Sequence, residues 1–306
     1  MPIVAAAPPV SITPPGGFDY VTIDAGARRV YAAHGAQLVI VDADKGTVVG
    51  SVQLGGVAGS APNRATGTVY TGDGDAKALS EVDPRTLKEV QRVAVSGVVD
   101  AIAYDAQLGR IYGDEDNGTQ IFVIDSKTFK QIGTIALPGH KPEYLQVNPS
   151  THEVYQNIAT DSEIVVIDPK TLAVTRTIPT PEITNNHPLQ FDAPFDLLLV
   201  AGANNKMSGY TSGGKHLWTI DYPSRVDQCD LDVSRQLMAC AGSGITLLKI
   251  NQNGPAQIVG TLAVASGLHT VAIDPKTGDI WAVWGVRAPG STTTTASFVQ
   301  RFRYQP

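Results

Sequence analysis

One feature limits what this chain can become: it repeats itself. An apolar residue, then Asp or Asn, then a turn, then a strand carrying Tyr is a recurring unit. Copies stand at Ile23-Asp24, Tyr104-Asp105, Val147-Asn148, Phe191-Asp192, Leu231-Asp232 and Ile273-Asp274, with a degenerate one at Pro62-Asn63. Successive anchors are 39, 42, 43, 44, 40 and 42 residues apart. A second anchor lies in the other half of each unit, at Asp42, Asp83, Asp125, Asp168, Thr211 and Asn251, with intervals of 41, 42, 43, 43 and 40. Two anchors sharing one period near 42 residues match the length of a four-stranded propeller blade.

The third unit shows how each copy divides. Strand A covers 101–104, strand B 109–113, strand C 120–125 and strand D 131–137, with alternation of period two and a C–D turn at Ser126-Lys127-Thr128. No segment sustains a period of 3.6, so helix should be nearly absent. There are seven A strands, but the seventh unit stops at Pro306 after its third strand. The missing strand is available at the other end, in Pro2–Ile12, whose exit Pro14-Pro15-Gly16-Gly17 is similar to the D-strand exits Leu137-Pro138-Gly139 and Leu54-Gly55-Gly56. The expected architecture is an all-β, seven-bladed β-propeller of four-stranded blades. It would be one domain over 1–306, its ring closed by the N-terminal strand pairing with the C-terminal blade, leaving no sheet edge exposed.

Composition agrees. Gly (30) and Pro (20) are about one residue in six, too many for a helical chain and too dispersed for a disordered one. A net charge of −6 argues against nonspecific nucleic-acid binding, which needs a basic surface. No apolar stretch has membrane-spanning length. The opening residues MPIVAAAPPVSITPPGG have neither a basic n-region nor an apolar h-region, so they do not read as a signal peptide.

The segments RRVYAAHGAQLVIVDADKGTVVGSVQL (28–54), GRIYGDEDNGTQIFVIDSKTFKQIGTI (109–135) and HEVYQNIATDSEIVVIDPKTLAVTRTI (152–178) resemble the YVTN family of β-propeller repeats. The resemblance extends over essentially the whole chain. The family's Tyr-Val-Thr-Asn strand is here Tyr31-Ala-Ala-His34, Tyr70-Thr-Gly-Asp73, Tyr112-Gly-Asp-Glu115 and Tyr155-Gln-Asn-Ile158, so its Asn is missing in all four. Membership would imply a bacterial exported or surface protein, periplasmic or secreted, or a lactonase-like enzyme or propeller lyase. A fold used so widely does not fix function.

In a propeller the A strands line the central channel. The position five residues before each A-strand anchor should stand at the mouth where the D–A and B–C loops gather. It is occupied by Asp19, Ala58, Asp100, Glu143, His187, Asp227 and His269. Period two puts apolar Val21, Ile102, Leu145, Leu189, Cys229 and Val271 on the same side, so the charged ring should cap an apolar column. The B-strand ends add His34, Asp73 and Glu115 to that face. Such carboxylates can simply be solvated or bond nearby backbone N–H groups. Converging on one axis, however, they favour a bound cation or raised carboxylate pKa values. Mixed imidazole and carboxylate donors suit Mn, Zn, Ni or Fe better than Mg or Ca. The expected metal ligands are His187, His269 and Glu143, with Asp100 or Asp227 completing the shell or acting as base. The expected activity is metal-assisted work on a small polar substrate, lactone or ester hydrolysis first and a lyase reaction second, by a monomer. The alternative is a non-catalytic propeller that binds a protein, peptide or glycan on its loop face.

Weaker candidates complete the inventory. Asp114–Gly118 reads as an acidic B–C loop. Lys141, Lys206 and Arg287 fall in loops of the mouth face, and Val286–Ala296 is long enough for a lid. His140, His152 and His216 read as surface side chains, and Trp281 and Trp284 as core or channel wall. The two cysteines, Cys229 and Cys240, lie opposite one another across a turn at Ser234-Arg235, as a disulfide or as two buried thiols.

Overall fold

The computed structural model describes residues 2–264, 267–288 and 290–306. Seven antiparallel sheets form a ring, six of them four-stranded in simple A-B-C-D order. The A strands are Val21–Asp24, Ser60–Asn63, Val99–Asp105, Pro142–Val147, Asn186–Asp192, Cys229–Asp232 and Leu268–Ile273. Among the described residues, helix is limited to one 3-10 turn at Ala193–Phe195.

The repeated anchors have a local cause. Asp24 Oδ1 accepts the backbone N–H groups of Gly26 and Ala27, and Asp105 those of Gln107 and Leu108. Asn148 and Asp232 do the same in their own units. The carboxyl or amide thus folds the A–B turn by capping it. Four residues past the anchor the chain is left-handed in every blade, at Arg28, Gly67, Gly109, His152, Asp196, Gln236 and Gly278. That residue's side chain can reach back to the preceding blade. Arg28 of blade one grips Asp274 of blade seven with two hydrogen bonds, 3.0 and 2.7 Å. His152 of blade four lies 2.8 Å from Asp105 of blade three, so it is a partly buried inter-blade contact rather than the free surface side chain expected. His140 and His216 are exposed.

Between the anchors, the Tyr of strand B is the principal packing element. Tyr31, Tyr70, Tyr112 and Tyr155 are fully buried, each among the apolar side chains of its own blade and its neighbour. Burying each such ring removes enough apolar area to contribute roughly 2 kcal/mol. Trp281 and Trp284 are likewise core.

The ring closes as the truncated seventh unit requires, with one refinement. The last strand, Thr294–Tyr304, pairs with two short N-terminal strands, Ile3–Ala5 against Phe302–Tyr304 and Val10–Ile12 against Ser297–Val299. The two prolines at 8 and 9 lie in the break between them, where a proline cannot donate to a ladder. Two expectations are corrected. The proposed lid at Val286–Ala296 is shorter than expected, because strand B of blade seven runs to Arg287 and pairs Val286 with Ala296, which leaves a connection of 288–293; Pro289 within it lies outside the described residues. Asp114 is not in a loop: it belongs to strand Arg110–Glu115 and is fully buried.

Candidate functional site

The seven ring positions line one cavity. Asp19, Ala58, Asp100, Glu143, His187, Asp227 and His269 surround a cup of about 480 Å3 at the mouth of the channel, joined by Lys141, Arg225, Asp116, Tyr20 and Gln228. The B-strand residues stand behind it. His34 is buried, with Nε2 2.7 Å from the Pro14 carbonyl and its ring against Phe18. Asp73 accepts the Gly55 and Ala76 N–H groups, and Glu115 the Thr119 N–H. All three hold loops one strand farther out and do not line the cup. Lys206 pairs with Asp221, away from the cup, and Arg287 lines a separate cleft beside His269.

The apolar residues expected beneath the ring only border the lower channel and turn largely into the cores between blades, and a β-bulge is the reason. Asp19 donates its N–H to Ala33, and Ala33 donates in turn to Tyr20, so two residues oppose one. Asp227 and Gln228 share Ala241 in the same way. Ladder irregularities fall at Val99–Ile102, Pro142–Leu145, Asn186–Leu189 and Leu268–Thr270, each spanning the ring position. A bulge reverses the side on which later residues emerge. Val21, Leu145, Leu189 and Val271 therefore pack in the cores between blades. Below the ring the channel receives Tyr20, Tyr144, Gln228 and Asp230 instead.

Tyr20 closes the cup from below. Its hydroxyl donates to the Glu143 carbonyl at 2.9 Å and accepts from Gln228 Nε2 at 3.2 Å, tying blade one to blades four and six across the axis. Strict alternation hides both Tyr20 and Gln228 from sequence reasoning. Arg225 had no pattern to reveal it, because it lies in an irregular D–A loop.

Above this floor the charged groups form a chain. His187 Nε2 stands 3.4 Å from Glu143 Oε2 and 3.4 Å from Asp227 Oδ1. Asp227 Oδ2 is 2.9 Å from His269 Nδ1, though not aligned for a hydrogen bond, and Lys141 Nζ is 3.1 Å from Glu143 Oε1. Glu143 and Asp227 are largely buried and His187 is only 12% exposed, whereas His269 is 47% exposed. His187 Nδ1 and Asp227 Oδ2 are buried with no hydrogen-bond partner among the described residues.

Electrostatics divides the acids. Burial works against ionisation of Asp227, but the contacts with His187 and His269 outweigh it and hold its carboxyl well below the usual range. Asp19, across the cup, is raised to about 6 by burial and by the Asp227 and Glu143 charges, despite the pull of His269. Burial raises Glu143 and drives Asp100 far upward, the latter reinforced by Asp114 and Asp19. Burial lowers the His269 pKa, but Asp227 more than compensates and the net shift is upward. Among the described residues, no three His, Cys, Asp or Glu side chains already sit in coordination geometry.

Comparison with known proteins establishes the architecture. No family profile matches the chain, so membership of the YVTN family is not shown, and no curated protein matches either. Solved structures do match. A chain of Kuenenia stuttgartiensis hydrazine synthase superposes with a TM-score of 0.78 at 16% identity, covering 89% of this chain and 94% of that one. A chain of the mitotic checkpoint complex gives 0.77 at 13%, covering 99% and 91%. The WD40 repeats of RRP9 give 0.82 at 8%, covering 98% and 100%. The chain is a seven-bladed β-propeller. At such identities the propeller's likeness to these structures concerns fold and not activity. Its two cysteines, paired directly across strands A and B of blade six, are joined as a disulfide. Among the described residues, no helix of the propeller is long and apolar enough to cross a membrane.

Proposed function

We propose that the cup binds a divalent cation through His187, Glu143 and Asp227 and uses it to hydrolyse a small lactone or ester. The observation that carries this reading is the position of His187 Nε2, 3.4 Å from a carboxylate oxygen on each side. That is long for a charge-assisted hydrogen bond. It is the separation of two ligand atoms sharing a tetrahedral ion, since bonds of about 2.0–2.1 Å leave ligands roughly 3.4 Å apart. This trio takes Asp227 in place of His269, which instead supports Asp227 from behind, as outer-shell groups orient metal-bound carboxylates. The imidazole favours Zn, Mn, Ni or Fe over Mg or Ca.

A cation held there would polarise a substrate carbonyl. Asp19, facing the trio across the cup, is the group suited to exchange a proton with substrate or water near neutral pH. Burial and the neighbouring Asp114 and Asp19 charges favour the protonated form of Asp100, which suits it more to donating a hydrogen bond than to acting as base. Arg225 and Lys141 are available to a polar or anionic substituent. The Cys229–Cys240 bridge supports an oxidising compartment, periplasmic or extracellular.

The test is elemental analysis of protein purified without chelator, followed by titration of chelated protein with Zn and Mn. Tight binding of one ion is expected, lost in His187→Ala and Asp227→Asn while both metal-free variants still fold cooperatively. Full metal content in both variants would leave a binding propeller whose ring is merely solvated charge.

A further inference from the structure

The opposite end of the channel carries a second built cavity, independent of the cup and separated from it by the Tyr20 strut. It measures about 430 Å3 and lies against blades one to four. Its existence follows from a local break in the repeat. Blade two has Ser60 and Pro62 where its neighbours in blades three and four carry Ile102 and Leu145, and Tyr104 and Val147. Ala61 and Ala103 then leave the space between them unfilled, and Gln146 closes the far wall.

The residue overhanging this space is equally out of pattern. One position after the anchor, six units carry Ala25, Ala106, Pro149, Ala193, Val233 and Pro275. Blade two alone carries a charge there, Arg64. Arg64 lines this cavity and the adjoining one of about 200 Å3, and both also share Thr22 and Tyr144. It is exposed and makes no side-chain hydrogen bond or ion pair among the described residues, unlike Arg28 and Arg235, which are engaged at the corresponding turns. The one carboxyl in the smaller cavity, Asp230, is already occupied by the Leu231 and Ile273 N–H groups.

A lone guanidinium stands beside a wall in which Ala61, Ala103, Ile102, Tyr104 and Tyr144 alternate with Thr22, Ser60 and Gln146, a mixed lining suited to an anionic group on an apolar body. We infer that this lower cavity binds a small monocarboxylate with an apolar or aromatic body, its carboxylate forked by Arg64 and its body against blades two to four. Arginine's planar donors match a carboxylate bidentately. The apolar wall supplies the remaining affinity and discriminates against bare anions.

Phenylacetate, phenylacetamide and inorganic phosphate serve as probes, titrated by calorimetry and ligand-observed NMR into the chelated protein. Saturable binding of phenylacetate in the millimolar range or tighter is expected, with the amide and phosphate at least tenfold weaker. Arg64→Gln should cost phenylacetate at least tenfold at an unchanged melting temperature, because Arg64 supports nothing else. Ala103→Leu fills the cavity from a different blade and should remove binding with Arg64 intact. His187→Ala should leave binding as it was, which separates this site from the cup. Equal affinity for acid and amide, phosphate binding as tightly as phenylacetate, or undiminished binding in Arg64→Gln would each overturn the inference.

Discussion

Replacing Arg28 with Ala should weaken the junction between the first and last blades more than any surface change. The guanidinium is 12% exposed and its partner Asp274 only 1%. Removing the cation leaves a buried carboxylate without its counter-charge, which costs about 3–5 kcal/mol in general. Asp274 keeps its bonds from the Lys276 N–H and the Thr277 hydroxyl, so the lower end, roughly 3 kcal/mol, is expected. Burial raises the Asp274 pKa, but Arg28 and the turn donors outweigh it and the net shift is downward. A depressed folded pKa contributes stability above the unfolded value near 4, lost as pH falls through the folded value. The difference between parent and variant should therefore be largest at pH 7 and shrink toward pH 2. Urea unfolding at several pH values measures it, with Asp274→Asn and the double variant closing a cycle. Arg28→Gly is a useful companion. It loses the same ion pair but relieves a left-handed backbone, φ 56°, and should recover up to about 1 kcal/mol. A loss below 1 kcal/mol at pH 7, or a pH-independent loss, would refute the reasoning.

Four further outcomes are expected. Deleting residues 1–12 removes buried Ile3 and Ile12 together with the outer strands of blade seven, and should lower and broaden the melt; a cooperative melt at the parental temperature would contradict closure by the N-terminus. Asp19→Asn in chelated protein should stabilise the fold by about 1–3 kcal/mol at pH 7–8 and not at all below pH 4, because a raised folded pKa makes ionisation oppose folding as pH rises from about 4 to 6; denaturant curves at both pH values decide it, and hydrolase activity should fall in the same variant. Tyr20→Phe should weaken metal binding by roughly tenfold and cost about 1–3 kcal/mol, since the buried Gln228 amide and the Glu143 carbonyl lose their shared partner; calorimetric metal affinity unchanged from the parent would separate the strut from the site. Alkylation of unfolded, unreduced protein should label neither Cys229 nor Cys240, and mass spectrometry checks this directly.

The repeat was legible because its cause is local. Six of the seven anchors cap their own turn within three residues, all but Asp192, so the sequence signal and the structural unit coincide. The convergence of the seven ring positions on one cavity followed from counting back from those anchors. What lay deeper in the channel did not follow, because the count assumes unbroken alternation and six A strands carry a bulge at or beside the ring position. Nothing in Asp19-Tyr20 or Asp227-Gln228 marks the extra residue; it appears only when both are seen opposite Ala33 and Ala241. The B-strand residues His34, Asp73 and Glu115 share a face with the ring but not a radius, and a one-dimensional period carries no radial information. Arg64 follows the one degenerate anchor, Pro62-Asn63, and nothing in the repeat singled it out; its place emerges only with the space the structure shows beside it.

The final blade draws its strands from both chain ends, and this has a kinetic consequence. During synthesis the first six sheets can form in order, each from contiguous sequence, and local contacts of this kind assemble quickly. The ring cannot shut until Thr294–Tyr304 has been made and can pair with Ile3–Ala5 and Val10–Ile12. Until then the seventh blade has only its two inner strands, Leu268–Ile273 and Ile280–Arg287, and the early strands wait for their partner. A prematurely released chain is thus an aggregation hazard even when it lacks only a few residues at its end, because the last eleven-residue strand is what completes the seventh blade and latches the ring.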